Sequence, residues 1–427
     1  MHRLPPSPMA RSCRSKASEQ SLVGLKVLVP PTNTVDERQL YIRDARADHR
    51  DVSPLTARRS SVSPLAVRQF HPCGSMELAD SRAARLVVIG FDGPTPTPEA
   101  AQLIARGVRS IILFARNAGP RSAVSATAAA CKALTSERLL VCVDQEGGNT
   151  VRLTDGFDPP PPMRKVGEGG PVAAGLVGAR LAADLRPVGI DLNLAPVVDV
   201  DSNPNNPIIG PRSFSREPAT VGACGAALIT AMQAGGVAAC AKHFPGHGDT
   251  ETDSHHDLPV LRHDIERLRS VELPPFRDAV AAGVAAVMTT HGVAVSSIAC
   301  ANCAIDASVC LCPGAVVFEA LDPGVPATMS EASVSGLLRN ELGFQGVVIS
   351  DCLEMDAIAK FCGCEIGEAA IRTIAAGVDL VLCCHEPARQ HRVIDALAEA
   401  IASGRLSAER IDSAHRRLDK LFASFVR

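Results

Sequence analysis

Between Lys242 and His255 the chain gathers three histidines, two aspartates and a lysine within fourteen residues, Lys242-His243-Phe244-Pro245-Gly246-His247-Gly248-Asp249-Thr250-Glu251-Thr252-Asp253-Ser254-His255. Asp253 and His255 are two residues apart, a spacing that puts both side chains on one side of an extended segment. Asp253 can then accept a hydrogen bond from one ring nitrogen of His255 and raise the basicity of the other, an arrangement expected to give a general acid/base near neutral pH. Lys242 and His243 are placed to hold a polar ligand, and Gly246 and Gly248 leave the loop free to move. Two other arrangements are open. His243, His247 and Asp249 have a His-x3-His-x-Asp spacing that suits zinc or manganese, although Pro245 and the glycines remove the rigid helix that fixes such ligands. The loop could also be solvated and chemically idle.

Three more motifs follow strand-like runs. Val347-Val348-Ile349-Ser350 leads into Asp351, a nucleophile candidate at a strand mouth or a plain helix N-cap. Leu139-Leu140-Val141-Cys142-Val143 leads into Asp144, with Arg152 eight residues later. A carboxylate can accept two hydroxyl hydrogen bonds at once, which suits Asp144 to a sugar. Arg212 lies in Ile209-Gly210-Pro211-Arg212-Ser213-Phe214, after Leu192-Asn193-Leu194-Ala195-Pro196. Both arginines could instead make surface ion pairs. His291 reads equally as a barrel-mouth residue or a satisfied structural histidine.

The 242–255 segment resembles the signature K-H-F/I-P-G-H/L-G-x4-D-S/T-H of family 3 glycoside hydrolases, in the β-N-acetylhexosaminidase (NagZ-like) branch, at every fixed position. Ser350-Asp351-Cys352-Leu353-Glu354-Met355 resembles the same branch's S/T-D-x-L-x-M. The resemblance implies a single (β/α)8 barrel and a retaining hydrolase that removes terminal non-reducing N-acetyl-β-D-glucosamine. Asp351 would be the nucleophile and Asp253–His255 the acid/base dyad. Asp144, Arg152, Arg212, Lys242 and His243 would be substrate contacts, and no metal or organic cofactor is implied. Asn149 departs from the family, which usually has an arginine there. Larger members add a sandwich domain that donates a glutamate; this chain ends soon after its eighth strand candidate, which favours the single-domain branch. A phosphorylase or β-glucosidase of the same family, a metal-dependent hydrolase and a silent sugar-binding protein are the alternatives.

The elements that must position these residues alternate from residue 84. Strands are expected at 86–91, 109–114, 139–143, 192–196, 237–241, 285–289, 346–350 and 378–383. Helices are expected at 121–134, 171–187, 218–234, 264–282, 331–341, 366–376, 391–403 and 408–424. Eight strands alternating with helices predict an α/β barrel of the TIM type, with every motif at a C-terminal strand end. The 25 residues from Gly292 to Val316 interrupt the family pattern, as an insertion or a retained intron.

Composition bounds the rest. Of 427 residues 46% are apolar, enough for one large barrel core. The net charge of −3 excludes nucleic acid as the main partner; residues 1–75 carry +6 and the remainder −9. Residues 1–80, rich in Ser, Pro and Arg, are expected to be a disordered extension, with a faint likeness to a transit peptide. Fifteen scattered cysteines suit reduced thiols in a cytoplasmic compartment, with Cys300, Cys303, Cys310 and Cys312 as a possible zinc knot. No apolar run is long enough to span a bilayer. With no Trp, and Tyr41 the single tyrosine, ring stacking falls to phenylalanine. A small polar pocket for one sugar or muropeptide end, in a monomer, is the expectation.

Overall fold

The computed structural model describes residues 73–250, 260–261, 264–291, 293–294, 322, 325–355, 358 and 364–427. Eight strands close a parallel barrel: β1 Val87–Ile89, β2 Ser110–Leu113, β3 Leu140–Val143, β4 Leu192–Asn193, β5 Ala238–Phe244, β6 Ala286–Thr289, β7 Val347–Cys352 and β8 Leu380–Cys383. Each pairs with its neighbour in chain order, and β1 closes on β8. Most of their positions are Val, Ile, Leu, Ala or Cys, and β1, β2, β3 and β8 are buried at every position. That continuous burial is expected of strands with side chains inside the barrel and helices outside it.

Helices return the chain between strands, and local chemistry sets their ends. Thr97 caps Pro98–Arg106 by accepting from the Ala100 N–H at 3.2 Å, with proline in the first turn, where its missing N–H costs nothing. Arg121–Lys132, Gly170–Leu185, Pro218–Ala234, Ile366–Ala376, Pro387–Ala402 and Ala408–Phe425 form the rest of the outer ring with two irregular members. The stretch expected as one helix over 264–282 is broken by wide turns at Leu268–Glu272, and Ala332–Glu341 is wound with such turns throughout. A two-residue pair, Val260–Leu261 with Val293–Ala294, lies outside the barrel.

All eight expected strands are present. The helices Cys73–Ala84, Pro98–Arg106 and Met163–Glu168 were not anticipated. The first of these begins inside the segment read as an extension and buries Ala79, Ala83 and Ala84.

The N-terminal rim of the barrel is tied by buried carboxylates. Asp191 accepts from Lys132 and from the Val141 N–H, and Asp379 accepts from Arg417 at 3.0 Å and the Val348 N–H at 3.0 Å. Polar residues at this end serve stability.

Candidate active site

The opposite rim collects the sequence motifs. After β3, Asp144-Gln145-Glu146 runs on in extended alternation. Gln145 points into the protein: its Nε2 donates to the Leu153 carbonyl at 2.7 Å and its Oε1 accepts from the Arg152 and Leu153 N–H groups at 3.0 Å. The Asn193 amide on β4 brackets the Gln145 backbone from the other side. Asp144 and Glu146 are therefore held on the cleft side, with Arg152 fixed across the turn.

Lys242 and His243 emerge at the end of β5. Ala241 pairs with Val287 and Phe244 with Thr289, so three steps along β5 match two along β6. The extra residue is a β-bulge, and it lets two consecutive residues, Lys242 and His243, line one cleft. Lys242 Nζ lies 2.9 Å from Asp144 Oδ1 and 2.6 Å from Glu146 Oε1. Burial alone would lower the lysine pKa; the two carboxylates outweigh it and raise it. Burial would likewise raise Glu146, but Arg212, in a bidentate pair at 2.8 Å through both Nε and Nη2, and Lys242 hold it well below the usual range. Arg212 stays charged for the reciprocal reason: burial pulls its pKa down and Glu146 raises it further.

Behind these groups sits Asp199, fully buried. It accepts from the His243 Nδ1 at 2.7 Å, from the His243 backbone N–H at 3.1 Å and from the His247 backbone N–H at 2.7 Å. Arg212 Nη2 donates to His243 Nε2 at 3.4 Å, so Nδ1 carries the ring proton and gives it to Asp199. Burial would raise the Asp199 pKa; the two histidines bring it below its ordinary value. Asn206 joins the loops after β4 and β5 by donating to the His247 carbonyl at 2.8 Å. His247 is pushed down to about 4, by burial first and by His243 second. The glycines of this loop are demanded by packing rather than by motion. A Cβ on Gly248 would lie 1.7 Å from the Val200 carbonyl oxygen, and Gly246 has φ +139° with Glu272 side-chain atoms at 2.8 Å.

Asp351 stands near the end of β7. Leu380 pairs with Ile349 but Leu382 with Cys352, so a second bulge falls at Ser350–Asp351 and turns both Asp351 and Cys352 toward the cleft. Asp351 Oδ1 accepts from the Cys352 N–H at 2.8 Å, and the Ser350 hydroxyl donates to the Asp351 carbonyl at 2.7 Å. His291 is fully buried; its Nε2–H donates to the Cys352 carbonyl at 2.9 Å. It is a structural histidine that fastens β7, and it does not line the cleft.

One cleft is thus lined by Asp144, Arg152, Arg212, Lys242, His243 and Asp351, six of the eight residues selected from the sequence. The other two, Asp253 and His255, lie outside the described residues, as do the four cysteines at 300–312. The trio His243, His247 and Asp249 does not converge: the His243 and His247 Nδ1 atoms are engaged by Asp199 and Thr250, and Asp249 Oδ1 accepts from Ser202 at 2.7 Å. Phe114 is the phenylalanine on the cleft wall. Asn149 is exposed and lines an adjoining groove with Gly147, Gly148 and Pro211. Glu146 and Asp199 were missed, although the first was legible as the second acid of an alternating Asp-x-Glu after a strand.

The glycosyl hydrolase family 3 N-terminal domain profile matches residues 78–421. The chain is 32% identical over 403 residues to beta-hexosaminidase A of Pseudoalteromonas piscicida, covering 89% of this chain and 63% of that protein. It is 37% identical over 297 residues to a beta-hexosaminidase of Neisseria meningitidis serogroup C, covering 68% of this chain and 74% of that protein. The structure resembles that of a family 3 beta-N-acetylglucosaminidase from Paenibacillus sp. FPU-7, with a TM-score of 0.73, 39% identity and coverage of 81% of this chain and 62% of that one. It also resembles NagZ from Neisseria gonorrhoeae in complex with N-trifluoroacetyl-D-glucosamine, with a TM-score of 0.61, 31% identity and coverage of 79% and 97%. The chain therefore spans slightly under two thirds of the length of the Pseudoalteromonas and Paenibacillus proteins.

Proposed function

The chain belongs to glycosyl hydrolase family 3, and from that membership we propose that it is a retaining, exo-acting β-N-acetylglucosaminidase, releasing terminal non-reducing N-acetyl-β-D-glucosamine. The observation that carries the reading is the shared cleft: an aspartate at the mouth of β7 faces the same space as a lysine, two arginines, a histidine and a second aspartate from three other strand ends. Asp144 Oδ1 is taken by Lys242, while Oδ2 meets Arg152 at 3.8 Å, which leaves lone pairs for sugar hydroxyls. The Neisseria gonorrhoeae relative holds an N-acylated glucosamine, which supports that sugar class here.

The proposed chemistry joins these groups to Asp253 and His255, whose acid/base role is what the family resemblance implies. The Asp351 carboxylate attacks the anomeric carbon while the leaving oxygen takes a proton from His255, held by Asp253; the glycosidic bond breaks and a glycosyl ester forms. Neutral His255 then accepts a proton from water, the water oxygen attacks the same carbon, and Asp351 departs as carboxylate with net retention. Arg152, Arg212, Lys242 and His243 hold the ring, with Lys242 and Arg212 themselves immobilised by Asp144 and Glu146. Muropeptide fragments ending in N-acetylglucosamine are the proposed natural class, taken as monomeric enzyme and small substrate; the proposed hydrolase domain, read from the sequence as 84–427, extends back at least to residue 78, where the family profile begins. Among the described residues no helix is long and apolar enough to cross a membrane.

The test is cleavage of an aryl N-acetyl-β-D-glucosaminide by the full chain and by Asp351→Ala. The variant should lose about three orders of magnitude or more in kcat, and the released sugar should be the free hexosamine with or without added phosphate. Wild-type turnover by Asp351→Ala, or a sugar phosphate as product, would overturn the proposal.

A further inference from the structure

The cleft wall beyond Asp351 carries side chains that hydrolysis leaves unused. The bulge in β7 that turns Asp351 inward turns Cys352 inward as well. Two residues on, Glu354 reaches under the end of β8. Its Oε2 accepts from the Cys384 N–H at 2.6 Å and the His385 N–H at 2.8 Å, and its Oε1 accepts from the Glu386 N–H at 2.8 Å. These bonds fix the carboxylate and bring Oε2 to 3.6 Å from the Cys352 thiol. One donor atom each from Cys352, Glu354 and His385 lies within 4.8 Å of the other two.

We propose that Cys352, Glu354 and His385 form a binding site for a thiophilic divalent cation of the zinc class, set in the sugar cleft one residue from Asp351. Around tetrahedral zinc, with bonds of about 2.3 Å to sulfur and about 2.0 Å to oxygen or nitrogen, neighbouring ligand atoms are about 3.5 Å apart. The sulfur–carboxylate separation of 3.6 Å already matches that edge, and the imidazole has to close by no more than about 1.3 Å. A carboxylate has about two lone-pair positions on each oxygen; Oε2 shares its pair among the Cys384 and His385 N–H groups and the thiol proton, and Oε1 holds only the Glu386 N–H. The cation takes that proton's place: the Cys352 S–H bond gives a sulfur–metal bond and the proton leaves to water. Thiolate and Glu354 together balance the two positive charges. Three protein ligands leave a fourth position open toward the cleft.

Arg116 is the opposing charge, with Nη1 3.3 Å from His385 Nδ1. It is anchored independently by the Phe91 and Cys384 carbonyls at 2.9 and 2.6 Å, so the histidine contact is the one a cation displaces. An ion here crowds Asp351 and blocks sugar entry. That inhibitory effect rests on the proposed hydrolase reading; binding of the ion does not.

The probe is Co2+, titrated into the metal-free full chain, with the near-ultraviolet thiolate-to-cobalt absorption as readout. A variant with Cys300, Cys303, Cys310 and Cys312 all changed to Ser separates this site from that cysteine group. The band should appear in the wild type and in the four-serine variant and vanish in Cys352→Ser, and His385→Asn should bind about tenfold or more weakly. A wild type without the band, or a Cys352→Ser protein that keeps it, overturns the site. If circular dichroism shows Cys352→Ser misfolded, the exposed position decides: undiminished affinity in His385→Asn overturns it equally. Micromolar zinc should inhibit arylglycoside hydrolysis reversibly with a chelator; cobalt binding without zinc inhibition leaves the site standing and overturns its inhibitory role.

Discussion

Replacing Asp199 by asparagine tests whether the cleft is held from behind as the geometry requires. The aspartate is fully buried and receives three N–H groups, two backbone and one imidazole. An asparagine has the same shape but one acceptor oxygen. With that oxygen toward His247 N–H, the amide NH2 confronts the His243 Nδ1–H; in the other orientation it confronts the His247 backbone N–H. A tautomer switch of His243 gives no escape, because Nε2–H would then face the Arg212 Nη2 donor at 3.4 Å. The variant thus loses at least one charge-assisted hydrogen bond, worth about 1.5–3 kcal/mol, and buries one unsatisfied donor, costing roughly 1–3 kcal/mol more. Allowing for partial relaxation, a loss of about 3 kcal/mol in unfolding free energy is expected from urea denaturation. Because the same bonds fix His243 and the loop after β5, kcat/KM on an aryl N-acetylglucosaminide should fall about 100-fold, the scale of a 1 Å misplacement. A variant within about 1 kcal/mol of wild type in stability and within about twofold in kcat/KM would refute the reasoning.

Two further outcomes follow from the same loop. His247 has its pKa lowered from 6.5 to about 4 by burial and by His243. Below pH 6.5 the unfolded chain therefore binds a proton that the folded chain refuses, and stability falls with pH until about pH 4. For this residue the loss between pH 7 and pH 5 is about 2 kcal/mol, and His247→Gln should flatten the urea-unfolding dependence by that amount; His415, also pushed down to about 4, supplies a parallel slope that this variant should not touch. Gly248→Ala should destabilise by about 2 kcal/mol or more, because the clash at 1.7 Å is with the Val200 backbone and not with a side chain that can rotate; a thermal midpoint unchanged from wild type would contradict the packing account.

The strands were legible because β-branched and aliphatic runs ending in acid or base mark both an element and its catalytic end. Asp351 and Asp144 could be found in this way. What pattern reading could not see is register. Alternation along a strand sends neighbours to opposite faces, so Lys242 with His243, and Asp351 with Cys352, should not share a surface. Both pairs do, because β5 gains a residue against β6 and β7 gains one against β8. A bulge depends on how two distant strands pair, and neither strand's own residues announce it. Asp199 was hidden for a related reason. Its role exists only because the end of the next strand and its loop turn two backbone N–H groups and one imidazole N–H toward it, and in the sequence it is an acid among valines, Val198-Asp199-Val200. Glycine misled in the opposite direction: Gly248 suggests freedom along the chain, whereas in space it marks the closest approach of two loops. The two bulges also explain how a barrel with short strands assembles so dense a site. Each lets one strand end present two adjacent side chains, so few strands are needed to surround one sugar, and Cys352 is carried into the cleft by the same irregularity that delivers Asp351.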